Sequence, residues 1–253
     1  MSIVTAGDSA HQGAEESAEL AVVVLHARDA EAAASGGADR LLLSTDPDEG
    51  HHSPDPALVS AVVRETDLPV WVALSPPEAP HDYDGQNAVV ELGATFLELG
   101  ATGLAYGFLD RNLEIDREGC AELCGELDGA RWMFHGFDSV LDADRAWRDV
   151  MSLPGLDSVV SAGSTRGISH GAEELISRCR SDRRVAGLLM AGGGLTPDVV
   201  PWLVRAGVRR FAIGSSARSS SSWTRASVDV DHVRSWRMLV DDALARALGI
   251  PVD

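Results

Sequence analysis

Short apolar runs alternate with helical patterns along nearly the whole chain. The runs are rich in Val, Leu and Ile and do not alternate with polar residues, which is typical of parallel strands buried on both faces. Gly or Pro separates most of the runs from the helical patterns. The predicted strands are Leu20–His26, Arg40–Ser44, Val70–Ser75, Gly103–Gly107, Trp132–His135, Ser158–Ser161, Val185–Ala191 and Arg209–Ile213.

A helical pattern follows each predicted strand, and the last one covers Asp229–Leu248. Strands that each lead into a helix close naturally into a (β/α)8 TIM barrel, an α/β fold. The length of 253 residues and the hydrophobic content of 45% suit one barrel with a single large core. We therefore expect a flexible N-terminal tail over residues 1–18 and one TIM-barrel domain over residues 19–253.

The chain is strongly acidic, with 39 Asp and Glu residues against 21 basic ones and a net charge of −18. This charge argues against nucleic acid and against anionic membrane surfaces as partners. No apolar run approaches the roughly 20 residues of a membrane span. The N-terminal residues have neither the basic nor the apolar region of a signal peptide, so we expect a cytoplasmic protein.

All of the basic residues other than histidine are arginines. Schiff-base chemistry needs a lysine amine. The lysine-dependent aldolase mechanism is therefore excluded for this chain.

The three cysteines are Cys120, Cys124 and Cys179. An odd number in a chain without a secretory signal indicates reduced thiols. Cys120 and Cys124 are four residues apart and share one face of a predicted helix. Two thiolates there could bind Cu(I), but no His or third Cys lies nearby in sequence. The favoured interpretation is two small apolar side chains that face the sheet.

Glycine turns follow the last two predicted strands, as Gly192–Gly194 and as Gly214 with Ser215. In this fold the loops after strands seven and eight often hold a phosphate, because backbone amides there can converge on one anion. We predict an anion or phosphate site formed by the amides of Gly193, Gly194, Ser215 and Ser216, with Arg218 as the nearby positive charge. The alternative is that the glycines only make tight turns.

His135 ends the fifth predicted strand, and Asp138 follows three residues later. A carboxylate beside an imidazole fixes its tautomer and raises its basicity, which suits a general base or a ligand. These two residues are the predicted catalytic pair. A histidine bonded to backbone and an aspartate that caps a turn are the alternative. The predicted strands otherwise carry few acid–base groups, which argues against ordinary hydrolase or isomerase chemistry.

Several motifs taken together resemble the CutC copper-homeostasis proteins. They are GGADRLLLS, GLAYGFLDRNLEID, WMFHGFD, SVVSAGS and LLMAGGGLTPDVVPWLVRAGVRRF, in that order, within Leu20 to Ser215. The resemblance implies a (β/α)8 barrel in the cytoplasm, a homo-oligomer (dimer or higher), and a role in copper homeostasis. Bound copper is implied by the resemblance alone, and the residues themselves identify neither a metal site nor any other cofactor.

The chain also departs from the family pattern. Where the family has Glu and Cys on its first strand, this chain has Ala21 and Val23, and on the second strand it has Leu42 and Ser44. Ser75 stands where the family has Arg before a proline. The chain retains His135, Asp138, Gly163 and the Gly192–Gly194 turn.

Three functions remain open from the sequence. The first is a CutC-like role in copper homeostasis. The second is a barrel enzyme that acts on a small phosphorylated or carboxylated metabolite, with His135 as acid or base. The third is a barrel scaffold that has lost activity.

Overall fold

The predicted TIM barrel is confirmed. The structure, a computed structural model, describes residues 17–45, 52–75, 83–220, 223 and 226–251; most of the predicted tail, residues 1–16, lies outside these. Eight parallel strands pair in chain order, and β8 closes onto β1. The strands are β1 Glu19–Val24, β2 Arg40–Leu43, β3 Val70–Ala73, β4 Gly103–Tyr106, β5 Trp132–Phe134, β6 Leu156–Ser161, β7 Leu189–Ala191 and β8 Arg210–Ile213.

Helices pack around the outside of the barrel. In five of the described helices an aspartate side chain caps the first turn, namely Asp55, Asp116, Asp142, Asp182 and Asp229. The helices of the described residues are α1 Ala27–Gly36, α2 Pro56–Arg64, α3 Tyr83–Glu98, α4 Arg117–Glu126, α5 Ala143–Val150, α6 Ile168–Ser181, α7 Arg183–Leu188, α8 Val200–Arg205 and α9 Val230–Leu248.

The seventh strand is shorter than the sequence pattern predicts. It begins at Leu189 because Arg183–Leu188 forms the short helix α7. The carboxylate of Asp182 accepts a hydrogen bond from the Arg184 amide at 2.9 Å and so caps that helix. A continuous apolar run does not distinguish a buried strand from a buried helical turn, so periodicity alone placed this boundary wrongly.

The inside of the barrel is filled at its N-terminal end. Leu42, Trp71, Met133 and Met190 form an apolar cluster with the alanines of β1, β4 and β8. The Trp71 ring reaches across to Gly103, where a Cβ atom would lie 2.6 Å from the ring. A glycine is therefore required at that position of β4.

A charged layer closes the same end below the Trp71 ring. It consists of Glu19, Arg40, Arg131, Asp157 and Arg210. The Arg40 guanidinium donates to Asp157 and Glu19, each at 2.8 Å, and lies 4.7 Å from the centre of the Trp71 ring. Arg131 also pairs with Asp157. Residues at this end of a TIM barrel stabilise the fold, whereas catalytic residues lie at the opposite end.

A second, larger apolar core lies between the sheet and the helices. The outward-facing residues of every strand contribute to it, together with the buried faces of the helices. Within the described part of the chain, no helix combines the length and the apolar character needed to cross a membrane.

Candidate functional site

The barrel mouth is the space at the carboxyl ends of the strands, above the inward-facing residues Val23, Ala73, Val160, Gly192 and Gly214. Val23 and Val160 pack on the edge of the interior cluster and stay partly exposed, as does Ala73. Their outward-facing neighbours on the same strands are buried. Among the described residues, the floor of the mouth therefore consists of small, mostly apolar residues, and Val23, Ala73 and Val160 remain accessible to solvent.

The glycine turn after β7 is left-handed at two successive residues. Gly193 and Gly194 adopt φ angles of +73° and +82°, which only glycine adopts readily. The Gly193 carbonyl accepts from the Ile168 amide of α6 at 3.0 Å. In a trans peptide the next N–H points the opposite way, so the Gly194 amide points away from α6. No atom lies within 4 Å of the place where its Cβ would be.

The turn after β8 lies next to this one, because β7 and β8 pair. A single 3-10 turn covers Ser215–Ala217, and its first backbone bond runs from the Ala217 amide to the Gly214 carbonyl. Among the described residues, the backbone amides of Gly193, Gly194, Ser215 and Ser216 have no protein acceptor. Ser215 and Ser216 are only partly buried.

Arg218 does not face the predicted anion position. Its side chain is buried, and its guanidinium lies 3.1 Å from the Asp29 carboxylate of α1. The same group donates to the carbonyls of Val23 and Gly214, each at 3.2 Å. Because Asp29 neutralises Arg218, this arginine fixes the loop after β8 rather than supplying free positive charge to the mouth.

His135 follows directly on β5. It stands two residues after the inward-facing Met133, so the alternation along the strand directs its side chain toward the mouth. It is partly buried, and its amide donates to the Tyr106 carbonyl at 3.0 Å. The structure thus places His135 where the sequence analysis expected it.

Asp138 joins two neighbouring loops of the mouth. Its carboxylate accepts from the Ser161 hydroxyl at 2.6 Å, the Ala162 amide at 2.7 Å and the Gly163 amide at 3.1 Å. Both carboxylate oxygens are therefore engaged by the end of β6 and the turn after it. These contacts give Asp138 a structural role, as the alternative in the sequence analysis allowed, although it joins two loops and does not cap its own turn.

The three cysteines lie on helices outside the barrel. Cys120 and Cys124 are buried on α4, outside the barrel, and Cys179 is buried on α6. Burial raises the pKa of the Cys120 thiol to about 12 and that of Cys179 to about 12. Such thiols stay protonated at neutral pH and are poor metal ligands. Among the described residues, no three His, Cys, Asp or Glu side chains come together as a metal-binding group.

The sequence analysis did not identify two residues of the mouth region, Asp29 and Trp223. Asp29 lies in the first turn of α1 and accepts the Leu25 and Val228 amides in addition to Arg218. Trp223 lies over the backbone of Gly214, with the Arg218 guanidinium 5.0 Å from its ring centre. A single buried acid in a first turn and a lone Trp in a serine-rich loop carry no pattern that distinguishes them.

Comparison with known proteins gives one consistent result. The model of the CutC family matches residues 18–217. A human copper homeostasis protein cutC homolog is 29% identical over 191 residues, which is 74% of this chain and 69% of that protein. A CutC family protein of Treponema denticola is 27% identical over 208 residues, covering 80% and 83%.

A solved structure agrees with this at the level of the fold. The putative copper homeostasis protein CutC from Streptococcus agalactiae superposes with a TM-score of 0.67 at 18% sequence identity. The match covers 82% of this chain and all of that one.

Proposed function

Because the chain belongs to the CutC family, we propose that it acts in copper homeostasis in the cytoplasm, as a homo-oligomer, without holding copper through its cysteines. The family match and the names of its relatives support the role. The buried thiols and the apolar residues Ala21, Val23 and Leu42 on the first two strands argue against thiolate chelation. Thiolate-bound copper is therefore not the ligand that we propose for the barrel mouth.

A small anionic metabolite is the ligand that the mouth supports best. Four backbone amides that have no acceptor among the described residues, on two adjacent turns, are the observation that carries this proposal. Backbone amides on neighbouring turns can bind a phosphate or carboxylate without any charged side chain. The net charge of −18 acts against the anion, but salt screens distant charges beyond about 8 Å.

This geometry favours a second function, a barrel enzyme that acts on a small phosphorylated or carboxylated compound. His135 faces the same mouth and is the group that could transfer a proton there. Asp138 positions the loop after β6 and does not act on the ligand itself. In this view the role in copper homeostasis would follow from the metabolite that the mouth binds.

The anion site is tested by binding of inorganic phosphate, measured by calorimetry and by thermal shift. Ser216→Asp places a carboxylate beside the four amides and should weaken phosphate binding at least about tenfold. Ser220→Asp makes the same change in charge at an exposed position of the same loop and should leave the affinity unchanged. Equal phosphate binding by both variants, or no binding by the wild type, would reject the site.

The role in copper homeostasis needs a test in cells. Deletion of the coding sequence in the native host should lower growth in added copper, and the wild-type chain should restore it. A Cys120→Ser/Cys124→Ser chain should restore growth equally well, whereas Ser216→Asp should not. Unchanged copper tolerance after deletion would reject this role for the chain.

A further inference from the structure

Trp223 occupies the inner side of the barrel mouth. Gly214 follows Ile213, which faces outward, so the alternation along β8 directs the missing side chain of Gly214 into the mouth. The six-membered ring of Trp223 lies in contact with that position. A side chain from the loop after β8 thus takes the space that glycine leaves free.

The guanidinium of Arg218 holds the Trp223 ring in position. The Arg218 guanidinium stacks on Trp223 at 5.0 Å, and Arg218 is itself held by Asp29 and by the carbonyls of Val23 and Gly214. An arginine anchored by three such contacts forms a rigid platform for an aromatic ring. The ring is only partly buried, so some of its surface is left for a ligand.

Among the described residues, the floor of the mouth offers few partners for hydroxyl groups. Its inward-facing residues Val23, Ala73, Val160 and Gly192 present apolar surface. A polyhydroxylated ligand would leave its hydroxyls without hydrogen bonds on this floor, which is costly. A flat apolar body would lose nothing there and would gain a stacking contact.

We infer that the ligand of the mouth is an anion attached to a planar, unsaturated ring, and that Trp223 selects it by stacking. This inference rests on the proposed anion site, because the four amides of Gly193, Gly194, Ser215 and Ser216 bind the anionic group. Trp223, which follows Ser215 and Ser216 in the loop after β8, binds the planar ring of the ligand. Sugar phosphates and other polyol phosphates are disfavoured by the apolar floor.

Calorimetry with matched pairs of small probes tests the selection in the wild-type protein. Phenyl phosphate should bind at least about fivefold more tightly than inorganic phosphate and glycerol 1-phosphate, since an aromatic contact contributes an effect of this size. Benzoate against acetate repeats the comparison for a carboxylate and shows which anion the amides prefer. Equal binding within both pairs overturns the inference.

Variants then assign the preference to one residue. Trp223→Ala should reduce phenyl phosphate binding to the level of inorganic phosphate, and Trp223→Phe should keep most of the preference. Trp202→Ala is the matched control, because Trp202 also lies under an arginine, Arg205 at 5.2 Å, but is 53% exposed on the outer helix α8.

The two proposals fail in different ways. If inorganic phosphate and phenyl phosphate both fail to bind the wild type, the anion site itself is wrong, and the inference falls with it. If both bind equally, the anion site stands and only the stacking role of Trp223 is wrong. A preference that survives in Trp223→Ala also overturns that role.

Discussion

The guanidinium of Arg218 and the carboxylate of Asp29 lie 3.1 Å apart, both buried, and join the loop after β8 to the helix after β1. Their side chains are 0% and 1% exposed. The pair therefore links the last strand of the barrel to the first across the point where the sheet closes.

Asp29→Ala should destabilise the protein strongly. It leaves Arg218 buried without its charge partner and removes the acceptor for the Leu25 and Val228 amides. Breaking a buried pair in this way costs about 3–5 kcal/mol. Urea unfolding followed by circular dichroism measures the loss. Asp231→Ala, which removes an exposed partner of Arg234, serves as the control and should change little.

The charged layer predicts a specific dependence of stability on pH. Burial alone would raise the pKa of Asp157, but the hydrogen bond and charge of Arg40, with the charges of Arg210 and Arg131, hold that pKa below its ordinary value of 3.8. The carboxylate therefore stabilises the fold fully above about pH 4 and loses this effect as the pH falls through its lowered pKa.

Asp157→Asn tests this dependence. The difference in free energy of unfolding between wild type and variant should be constant from about pH 7 to pH 5 and should shrink below the ordinary Asp pKa. Burial raises the pKa of Glu19 despite Arg40, so that residue acts in the opposite direction. Comparing the two proteins in a Glu19→Gln background removes its contribution. A difference that grows as the pH falls would contradict the assignment to Asp157.

His135 and Asp138 should respond differently to truncation. The free energy of unfolding of His135→Ala should lie within about 1 kcal/mol of that of the wild type. The variant should bind phosphate or phenyl phosphate more weakly. Asp138→Ala leaves the Ser161 hydroxyl and the Ala162 amide without their acceptor, and the Gly163 amide with Ser161 Oγ alone, and should cost about 2 kcal/mol or more. Unfolding and calorimetry on both variants separate the two roles. Loss of stability in His135→Ala with full ligand affinity would make it a structural residue.

The cysteines should be inert in the folded protein. All three are buried, and burial raises the pKa of each thiol. Ellman's reagent at pH 8 should therefore react slowly with the native chain and fully with the chain in urea. Cu(I) titration against a competing chelator should likewise give the same result for the wild type and for Cys120→Ser/Cys124→Ser. Tight stoichiometric binding lost in that variant would show that α4 holds copper.

The fold was predictable because its signals are local and repeated. Each buried strand reads as a short apolar run, and each turn carries Gly or Pro, so the order of elements follows from the sequence. The boundary at Leu189 was not predictable in this way, because one apolar run, Val185–Ala191, covers the end of α7 and all of β7.

The site was predictable only where a strand end supplies the residue. His135 and the glycine turns follow directly from the register of β5, β7 and β8. The partner of Arg218 lies 189 residues away in sequence, and the contact of Trp223 with Gly214 depends on how a loop folds back. Such long-range pairings leave no periodic trace in one sequence.

The filled end of the barrel determines how a small molecule can exchange with solvent. Trp71, Met133 and Met190 are almost completely buried, and Arg40 with Asp157 lies beneath them. The interior is thus closed at its N-terminal end, so a small molecule enters and leaves through the opening at the carboxyl ends of the strands. A molecule bound there must leave before another can enter, so any two compounds that use this opening will compete for it, whatever reaction or signal they serve.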